Sequence, residues 1–191
     1  MNRDYDLVIF GATGDAGRAM TALLADSAPP TLRWTIAGRS RSKLEALAPA
    51  GSKLEVLVAD CADDAALLVL AARTRVLISA AGPFSMLGER VMLACIEAKT
   101  HYVDITGEVP WVAEMRRLHG ARAIAAGVCI ASFCGYDCVP CELGLYLGRQ
   151  ALGTLSFAES VLIMPPGTEG GAPRGTLLTT LALMHNGAME P

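Results

Sequence analysis

The sequence predicts an α/β fold, a doubly wound parallel sheet with helices on both faces, and two observations carry that prediction. Short apolar segments typical of buried strands alternate with helical segments from residue 5 to residue 133. Hydrophobic residues make up 52% of the 191 residues but aromatic residues only 5%, so the core must consist mostly of small aliphatic side chains, as in parallel sheets. The unbroken alternation requires crossover connections, which make the strands parallel.

The first half of the predicted domain begins with the apolar run "YDLVIF". The helix that follows has small residues to face the sheet, and the second helix starts at Ser40 or Ser42. The second strand ends at Gly38 and the third at Asp60. The predicted elements are strand 5–10, helix 15–25, strand 32–38, helix 41–48 and strand 53–60.

The second half continues the same alternation. Its first helix carries Asp63 and Asp64 in the first turn, where the helix dipole favours negative charge. The predicted elements are helix 63–74, strand 75–82, helix 88–99, strand 101–106, helix 109–127 and strand 128–133.

The rhythm changes after residue 133. A helix over 139–150 closes a first domain, residues 1–150. A strand (156–164), a loop rich in Gly and Pro (165–176) and a helix (175–187) follow, which is too little for a domain of its own. We therefore expect residues 151–191 to begin a truncated second α/β domain. The sequence would then be either the N-terminal part of a longer architecture or an unusually short relative of proteins with that architecture.

The segment "GATGDAG" lies directly after the first strand and opens the first helix. In that position Gly11 permits a sharp turn, Gly14 permits close approach of a pyrophosphate, and Gly17 permits close packing of the helix on the sheet. Free amides at the helix start then face the phosphates. The alternative is a helix-packing pattern without a ligand. The predicted cofactor-binding residues of this loop are Gly11, Ala12, Thr13, Gly14, Asp15, Ala16 and Gly17.

The end of the second strand indicates which dinucleotide binds. NAD sites place an acid about 20 residues after the glycines, to hold the ribose 2′-hydroxyl. Here Arg39 occupies that place with Ser40 beside it, and a guanidinium matches a 2′-phosphate. The sequence therefore predicts NADP(H); the alternative is a solvated basic turn.

Two further loops complete the predicted cofactor site. Asp60 ends the third strand, where it can meet the adenine, although Asp is also a common N-cap. The fourth strand ends near the predicted nicotinamide ribose, at the switch point of the sheet. The residues predicted there are Ser79, Ala80, Gly82 and Pro83; the alternative is an ordinary strand-to-loop turn.

With these pieces the chain resembles the saccharopine dehydrogenase-like oxidoreductases, in the branch of the trans-acting enoyl reductases. The matching stretches are "YDLVIFGATGDAGR", "WTIAGRSRSKLEAL", "GPFSMLGERVMLACIEAKTHYVDITGEVPW", "CGYDCVPCELGLYL" and, later, "PPGTEGGAPRGTLLTTL". The resemblance implies an NADP-binding Rossmann domain, with Gly11, Thr13, Gly14, Gly17, Arg39 and Ser40 on the cofactor, and a second domain that shapes the substrate pocket. Two departures are a family length well beyond 191 residues and Cys138 and Cys141 where the family usually has Ser.

The catalytic group is not identified by any motif. The short-chain dehydrogenase pair, a Tyr with a Lys four residues later, is absent from the sequence, so that proton-transfer mechanism is not expected. The stretch "HYVDITGE" and the dipeptide after Gly135 supply the remaining candidates for a proton donor. They are Tyr102, Asp104, Glu108, Tyr136 and Asp137; the alternative for each is a cap or loop hydrogen bond.

The cysteines raise a separate hypothesis. Cys134, Cys138 and Cys141 have the C-x3-C-x2-C spacing that holds a [4Fe–4S] cluster in radical enzymes. That motif belongs after the first strand of a barrel, whereas here it follows the sixth strand, so we expect incidental thiols and no metal.

Composition limits the partners. A net charge of −3 with a pI of about 5.6 lacks the basic footprint of a nucleic-acid binder. The N-terminus is not a signal peptide, and six cysteines without secretory context indicate the cytoplasm. The mean hydropathy of +0.40 indicates hidden apolar surface, so we expect a homo-oligomer, a missing partner domain or peripheral membrane association.

The function that the sequence predicts is hydride transfer from NADPH to an unsaturated (enoyl) or imine-type small molecule. The resemblance favours an acyl or lipid-like substrate. The alternative is a non-catalytic NADP-binding sensor or interaction module.

Overall fold

The computed structural model describes residues 3–49, 51 and 54–161. Within them six strands form one parallel sheet of order β3-β2-β1-β4-β5-β6. The strands are β1 (Tyr5–Phe10), β2 (Trp34–Gly38), β3 (Val56–Val58), β4 (Thr74–Ser79), β5 (His101–Asp104) and β6 (Ile130–Ala131). The helices are α1 (Asp15–Ser27), α2 (Arg41–Leu47), α3 (Asp64–Ala72), α4 (Phe84–Ala98), α5 (Val109–Ala126) and α6 (Val139–Leu152).

The strand order reverses direction between β1 and β4, which makes their carboxyl ends the switch point of the sheet. Phe10 at the end of β1 lies in register with Ala37 of β2 and with Ser79 of β4. The predicted doubly wound, Rossmann-type fold is confirmed, and its ligand crevice lies above these three strand ends.

The core lies on both faces of the sheet, because alternate residues of each strand point in opposite directions. Val8 and Phe10 of β1 pack with side chains of α3, α4 and α5, while Ile9 packs with Leu44 of α2 and side chains of α1. β1 is therefore buried on both faces over residues 8–10, as the apolar run in the sequence indicates.

The edge strands are shorter than the sequence predicts. The third strand covers Val56–Val58 instead of 53–60, and the sixth covers Ile130–Ala131 instead of 128–133. Each has one neighbour in the sheet, so it remains a strand only where that neighbour pairs with it. The fourth helix, in contrast, begins at Phe84, four residues before the predicted start at residue 88.

The strand predicted at 156–164 is wrong over the part that the structure describes, because residues 156–161 adopt no strand. A strand needs a partner, and no described residue pairs with this segment. Residues 162–164, the loop at 165–176 and the helix at 175–187 lie outside the described residues. The division at residue 150 stays a prediction; α6 continues two residues past it, to Leu152.

No residue of α6 is buried by the described part of the chain. Its exposed apolar side chains are Val139, Leu143, Leu145, Tyr146, Leu147 and Leu152. Across the described ranges, none of the helices has the length and apolar character needed to cross a bilayer.

Candidate cofactor-binding site

The turn after β1 requires glycine at its first position. Gly11 has φ +81°, in the left-handed region, and a Cβ there would lie 2.8 Å from the amide nitrogen of Ala81. The turn is held by the Gly11 amide, which donates to the carbonyl of Ala37 at 3.0 Å. Gly11 therefore lets β1, β2 and the loop after β4 meet at one point.

Gly17 serves the packing of α1. A Cβ on Gly17 would lie 2.6 Å from the Cα of Ala12, closer than real Cβ contacts come. Ala12 itself is completely buried. The sequence prediction that the third glycine brings the helix against the strand–turn unit agrees with this geometry.

Gly14 has no such role within the protein. Its backbone is extended, with φ −76° and ψ 170°, and the nearest atom to a Cβ would be the carbonyl oxygen of Gly11 at 3.5 Å, an ordinary van der Waals distance. The missing Cβ leaves open space on the outer side of the turn. That space is what close approach of a diphosphate needs.

Gly14 is also the N-cap of α1, and no side chain of the described residues caps this helix. The first-turn amides of Asp15, Ala16 and Gly17 have no intrahelical acceptor, so they are free for an anion. Arg18 donates through Nε to the carbonyl of Thr13 at 3.0 Å and thereby holds the loop from the other side. The predicted loop residues are thus brought together in a form that fits a diphosphate.

The residues that the sequence predicts at the 2′-phosphate follow β2. Arg39 is exposed and has no ion-pair partner among the described residues, whereas its neighbour Arg41 lies 3.6 Å from Glu45. Ser40 is the N-cap of α2, but its hydroxyl makes no capping bond and lies 3.4 Å from that of Ser42. Arg39 and Ser40 are therefore both available to a ligand.

Asp60 does not cap α3. Its Oδ1 accepts from the amide of Ala62 at 2.9 Å, and Asp63 caps the helix by accepting from Ala66. The amide of Ala59 donates to the carbonyl of Gly38 at 3.1 Å, so the residues that follow β2 and β3 leave the sheet side by side. Arg39 and Asp60 thus lie on the same part of the carboxyl edge.

The loop after β4 closes the site on the other side of Gly11. The amide of Ala80 donates to the carbonyl of Phe10 at 2.8 Å, and Ser79 is completely buried. The Ser79 hydroxyl has no hydrogen-bond partner in the described part of the molecule. Pro83 is the N-cap of α4, so the predicted nicotinamide loop, 79–83, runs directly into that helix.

Tyr102 and Asp104 lie side by side at the end of β5, both completely buried. The amide of Thr106 donates to Oδ1 of Asp104 at 3.1 Å, and the hydroxyl of Ser132 donates to Oδ2 at 3.0 Å. Burial raises the pKa of Asp104. Burial, followed by the charge of Asp104, raises the pKa of Tyr102 well above its usual value, and the phenol lies near Ser79 and Asp104 without a well-formed hydrogen bond.

Glu108 is 1% exposed, and both of its carboxylate oxygens accept hydrogen bonds. Oε1 accepts from the amide of Phe84 at 2.7 Å, and Oε2 accepts from the amide of Ser85 at 2.9 Å. These are the first two residues of α4, which explains why the helix starts four residues before the predicted position. For Glu108 the observed contacts are those of a helix cap, the alternative kept in the sequence analysis.

Tyr136 and Asp137 are placed differently. Both are exposed, in the turn before α6, with Tyr136 72% exposed. The buried group at the end of β5 and this exposed turn are joined through the amide of Cys134, which donates to the carbonyl of Asp104 at 2.9 Å.

Ser132 and Phe133 are not among the site residues that the sequence predicts. Phe133 has φ +62°, in the left-handed region that bulky residues rarely adopt, so its backbone is strained. Both residues line a groove of about 700 Å³ at the carboxyl end of β6. The other residues that line it are Val109, Cys138, Val139, Glu142, Leu143 and Tyr146. Their position directly after the sixth strand was the available signal, since ligand-side residues follow strand ends.

The thiols do not assemble a metal site. The described residues contain no group of three or more His, Cys, Asp or Glu side chains that could hold a metal ion. Cys134 lies 3.6 Å from the carbonyl of Ala131, and Cys141 lies 3.3 Å from the hydroxyl of Ser160. The iron–sulfur hypothesis gains no support from this geometry.

Comparison with known proteins agrees with the fold and the loop. The family model for the saccharopine dehydrogenase NADP binding domain matches residues 7–130. A saccharopine dehydrogenase-like oxidoreductase of Rattus norvegicus is 33% identical over 184 residues, covering 88% of this chain and 43% of the relative. A trans-acting enoyl reductase of Mycobacterium bovis is 30% identical over 196 residues, covering 99% of this chain and 47% of the relative.

Among solved structures, apo saccharopine dehydrogenase (L-Glu forming) of Saccharomyces cerevisiae has the same fold. Its TM-score is 0.63 at 23% identity, over 76% of this chain and 31% of that one. The chain therefore spans less than half the length of each of these three proteins.

Proposed function

Because the chain belongs to the saccharopine dehydrogenase family, a family of NADP-binding oxidoreductases, we propose that it transfers hydride from NADPH to an unsaturated or imine-type substrate. NADP(H) is its cofactor, as the sequence predicts. When bound, NADPH supplies the hydride, and the chain contributes binding, orientation and exclusion of water.

The residues that we assign to the cofactor follow from the free groups at the carboxyl edge. The amides at the start of α1 would hold the diphosphate beside Gly14, and Arg39 with Ser40 would hold the 2′-phosphate. Asp60 would face the adenine side, and residues 79–83 would lie against the nicotinamide side. The remaining loop residues, Gly11 and Gly17, shape the backbone that presents these groups.

The observation that carries the substrate proposal is the groove beside Ser132. It opens on the same edge of the sheet as the phosphate loop, next to the buried group of Asp104, and its walls are mostly apolar. A volume of about 700 Å³ falls within the usual range for small-molecule sites. An enoyl or imine group on an apolar body suits such walls, and similarity to the mycobacterial trans-acting enoyl reductase supports the enoyl choice.

The proposed reaction is tested by deuteride transfer. NADPH that carries deuterium at both hydrogen positions of nicotinamide C4 is incubated with enoyl thioesters of increasing chain length and with a cyclic imine, and the products are analysed by mass spectrometry. We expect a gain of one deuterium in the reduced product, with longer chains reacting faster. Absence of a deuterated product from every acceptor, with NADPH demonstrably bound, would reject the reaction.

That rejecting outcome would favour the second candidate, an NADP-binding module without turnover. One observation supports it: in the described residues Asp104 and Glu108 are occupied by structural hydrogen bonds, and no Tyr–Lys pair is present. Tight NADPH binding that changes thermal stability without product formation is its expected behaviour.

The exposed apolar side chains of α6 that do not line the groove, Leu145, Leu147 and Leu152, support a covered surface, in a homo-oligomer or at a membrane surface. Light scattering and flotation with phosphatidylcholine vesicles test the two separately. A cytoplasmic location stays a prediction from the sequence.

A further inference from the structure

We propose that Glu108 is a positioning residue that fixes the loop 79–83 against the nicotinamide half of the cofactor. The inference rests on the proposed placement of that loop at the nicotinamide. Glu108 would hold the loop 79–83 by capping α4, the helix that follows it, and would not act as a proton donor.

The carboxylate of Glu108 caps the N-terminus of α4. The first-turn amides of a helix lack intrahelical acceptors, and Pro83, the N-cap of α4, has no side-chain acceptor. Glu108 reaches them from 24 positions later in the chain, with one oxygen on each of two amides. A carboxylate is also the favoured charge at a helix N-terminus. The start of α4 is therefore fixed by a residue of another element.

The loop 79–83 is held at both of its ends. At its first end the amide of Ala80 donates to the carbonyl of Phe10, and the backbone of Ala81 lies against Gly11. At its second end the loop enters α4 at Pro83, next to the capped amides. Gly82 and Pro83 therefore lie between a hydrogen-bonded anchor on β1 and the amides that Glu108 caps, and loss of the cap removes the polar anchor at this end of the loop.

Glu108 is itself held in place by hydrogen bonds. Its amide donates to the hydroxyl oxygen of Thr106 at 3.0 Å, and the amide of Thr106 donates to Asp104. Asp104 in turn accepts from Ser132. The cap thus belongs to a buried hydrogen-bond network that runs along the carboxyl ends of β5 and β6.

These contacts argue against proton donation by Glu108. Both oxygens already accept from amides, and the side chain is 1% exposed. A protonated carboxyl would hold these amides more weakly, because a charged acceptor makes the stronger hydrogen bond.

The test compares two ligands on three variants. NADPH reports on the whole site, whereas 2′-phospho-ADP-ribose lacks the nicotinamide half. The variants are Glu108→Gln, which keeps the size and one acceptor, Glu108→Ala, and the control Thr100→Val. Thr100 is buried at the opposite end of β5, where its hydroxyl donates to the carbonyls of Ala71 and Thr74, so the control also loses buried hydrogen bonds.

For Glu108→Ala we expect the Kd of NADPH to rise about tenfold, with loss of the change in nicotinamide fluorescence on binding. Glu108→Gln should lie between this variant and the wild type. The Kd of 2′-phospho-ADP-ribose should change less than about twofold in both. Thr100→Val should lower the Tm without changing either Kd, so a lower Tm alone does not produce the effect.

Two results would overturn the inference. Equal weakening of both ligands would show a general loss of structure, and unchanged NADPH binding and fluorescence would show that the cap does not act on the loop. A wild-type protein whose NADPH fluorescence does not change on binding would instead overturn the proposed nicotinamide placement, and the role of Glu108 with it. The wild-type titration therefore separates the two failures.

Discussion

The hydroxyl of Ser132 donates to Oδ2 of Asp104 at 3.0 Å, and this bond joins the ends of β6 and β5 on the ligand side of the sheet. Both residues are screened from solvent, Asp104 completely. The carboxylate is held by two donors, yet burial outweighs them and raises its pKa. The site therefore contains an acid whose ionisation weakens the fold.

The substitution Asp104→Asn tests whether ionisation of Asp104 weakens the fold, because it changes how stability depends on pH. A carboxyl whose pKa is raised on folding contributes stability that is fully present below its unfolded pKa and lost as pH rises through the folded pKa. Asn keeps both hydrogen bonds by presenting Oδ1 to Thr106 and Nδ2 to the Ser132 hydroxyl. We expect the Tm of the variant, relative to wild type, to increase as pH rises from below about 3.9 towards neutral.

Thermal denaturation of both proteins across that pH range provides the measurement. A Tm difference that stays constant, or that moves in favour of the wild type with rising pH, would contradict the burial argument.

Gly14→Ala and Gly17→Ala separate ligand binding from folding within one loop. A Cβ at position 14 meets nothing closer than 3.5 Å, so we expect the Tm to change by less than about 2 °C. NADPH binding should weaken at least about tenfold, because the Cβ fills the space for the diphosphate.

Gly17→Ala should lower stability and leave NADPH binding by the folded protein largely intact. The new Cβ would meet the backbone of Ala12 at 2.6 Å, which we expect to cost about 1–3 kcal/mol of unfolding free energy. Chemical denaturation of both variants, with NADPH titration of the folded protein, gives the comparison. Strong binding by Gly14→Ala would place the diphosphate elsewhere.

Arg39→Ala tests the choice between the two dinucleotides. Loss of a charge-assisted contact with the 2′-phosphate should raise the Kd of NADPH about 10- to 100-fold and leave that of NADH nearly unchanged. Arg41→Ala is the matched control, since Arg41 is two positions away and lies 3.6 Å from Glu45. Equal losses for both cofactors would remove Arg39 from the phosphate site.

The thiols should differ sharply in reactivity. Cys95 is completely buried on α4, and burial raises its pKa to about 12, whereas Cys129 and Cys141 are exposed. Because the thiolate is the reactive form, brief treatment with iodoacetamide at neutral pH should modify the exposed thiols and spare Cys95 until the protein unfolds. Peptide mass spectrometry locates the label, and early modification of Cys95 would contradict the packing of α4.

Most of the fold was predictable because its information is local. Apolar runs and helical periodicity identify the strands and helices, and their strict alternation imposes a parallel sheet. The lengths of β3 and β6 were not predictable, because an edge strand extends only as far as its neighbour pairs with it. The strand predicted at 156–164 was wrong over residues 156–161, because apolar content alone provides no partner.

The sequence by itself was enough to predict NADP(H) and to propose the loop that binds it, since glycine spacing after a strand and a cation after the next strand are features of neighbouring residues. Only the tertiary structure decided what the polar residues at the ends of β5 and β6 do. Glu108 meets α4 across 24 positions, and Asp104 meets Ser132 across 28. Such contacts depend on strand register and helix packing, which bring distant residues to one edge and leave no pattern in either segment alone.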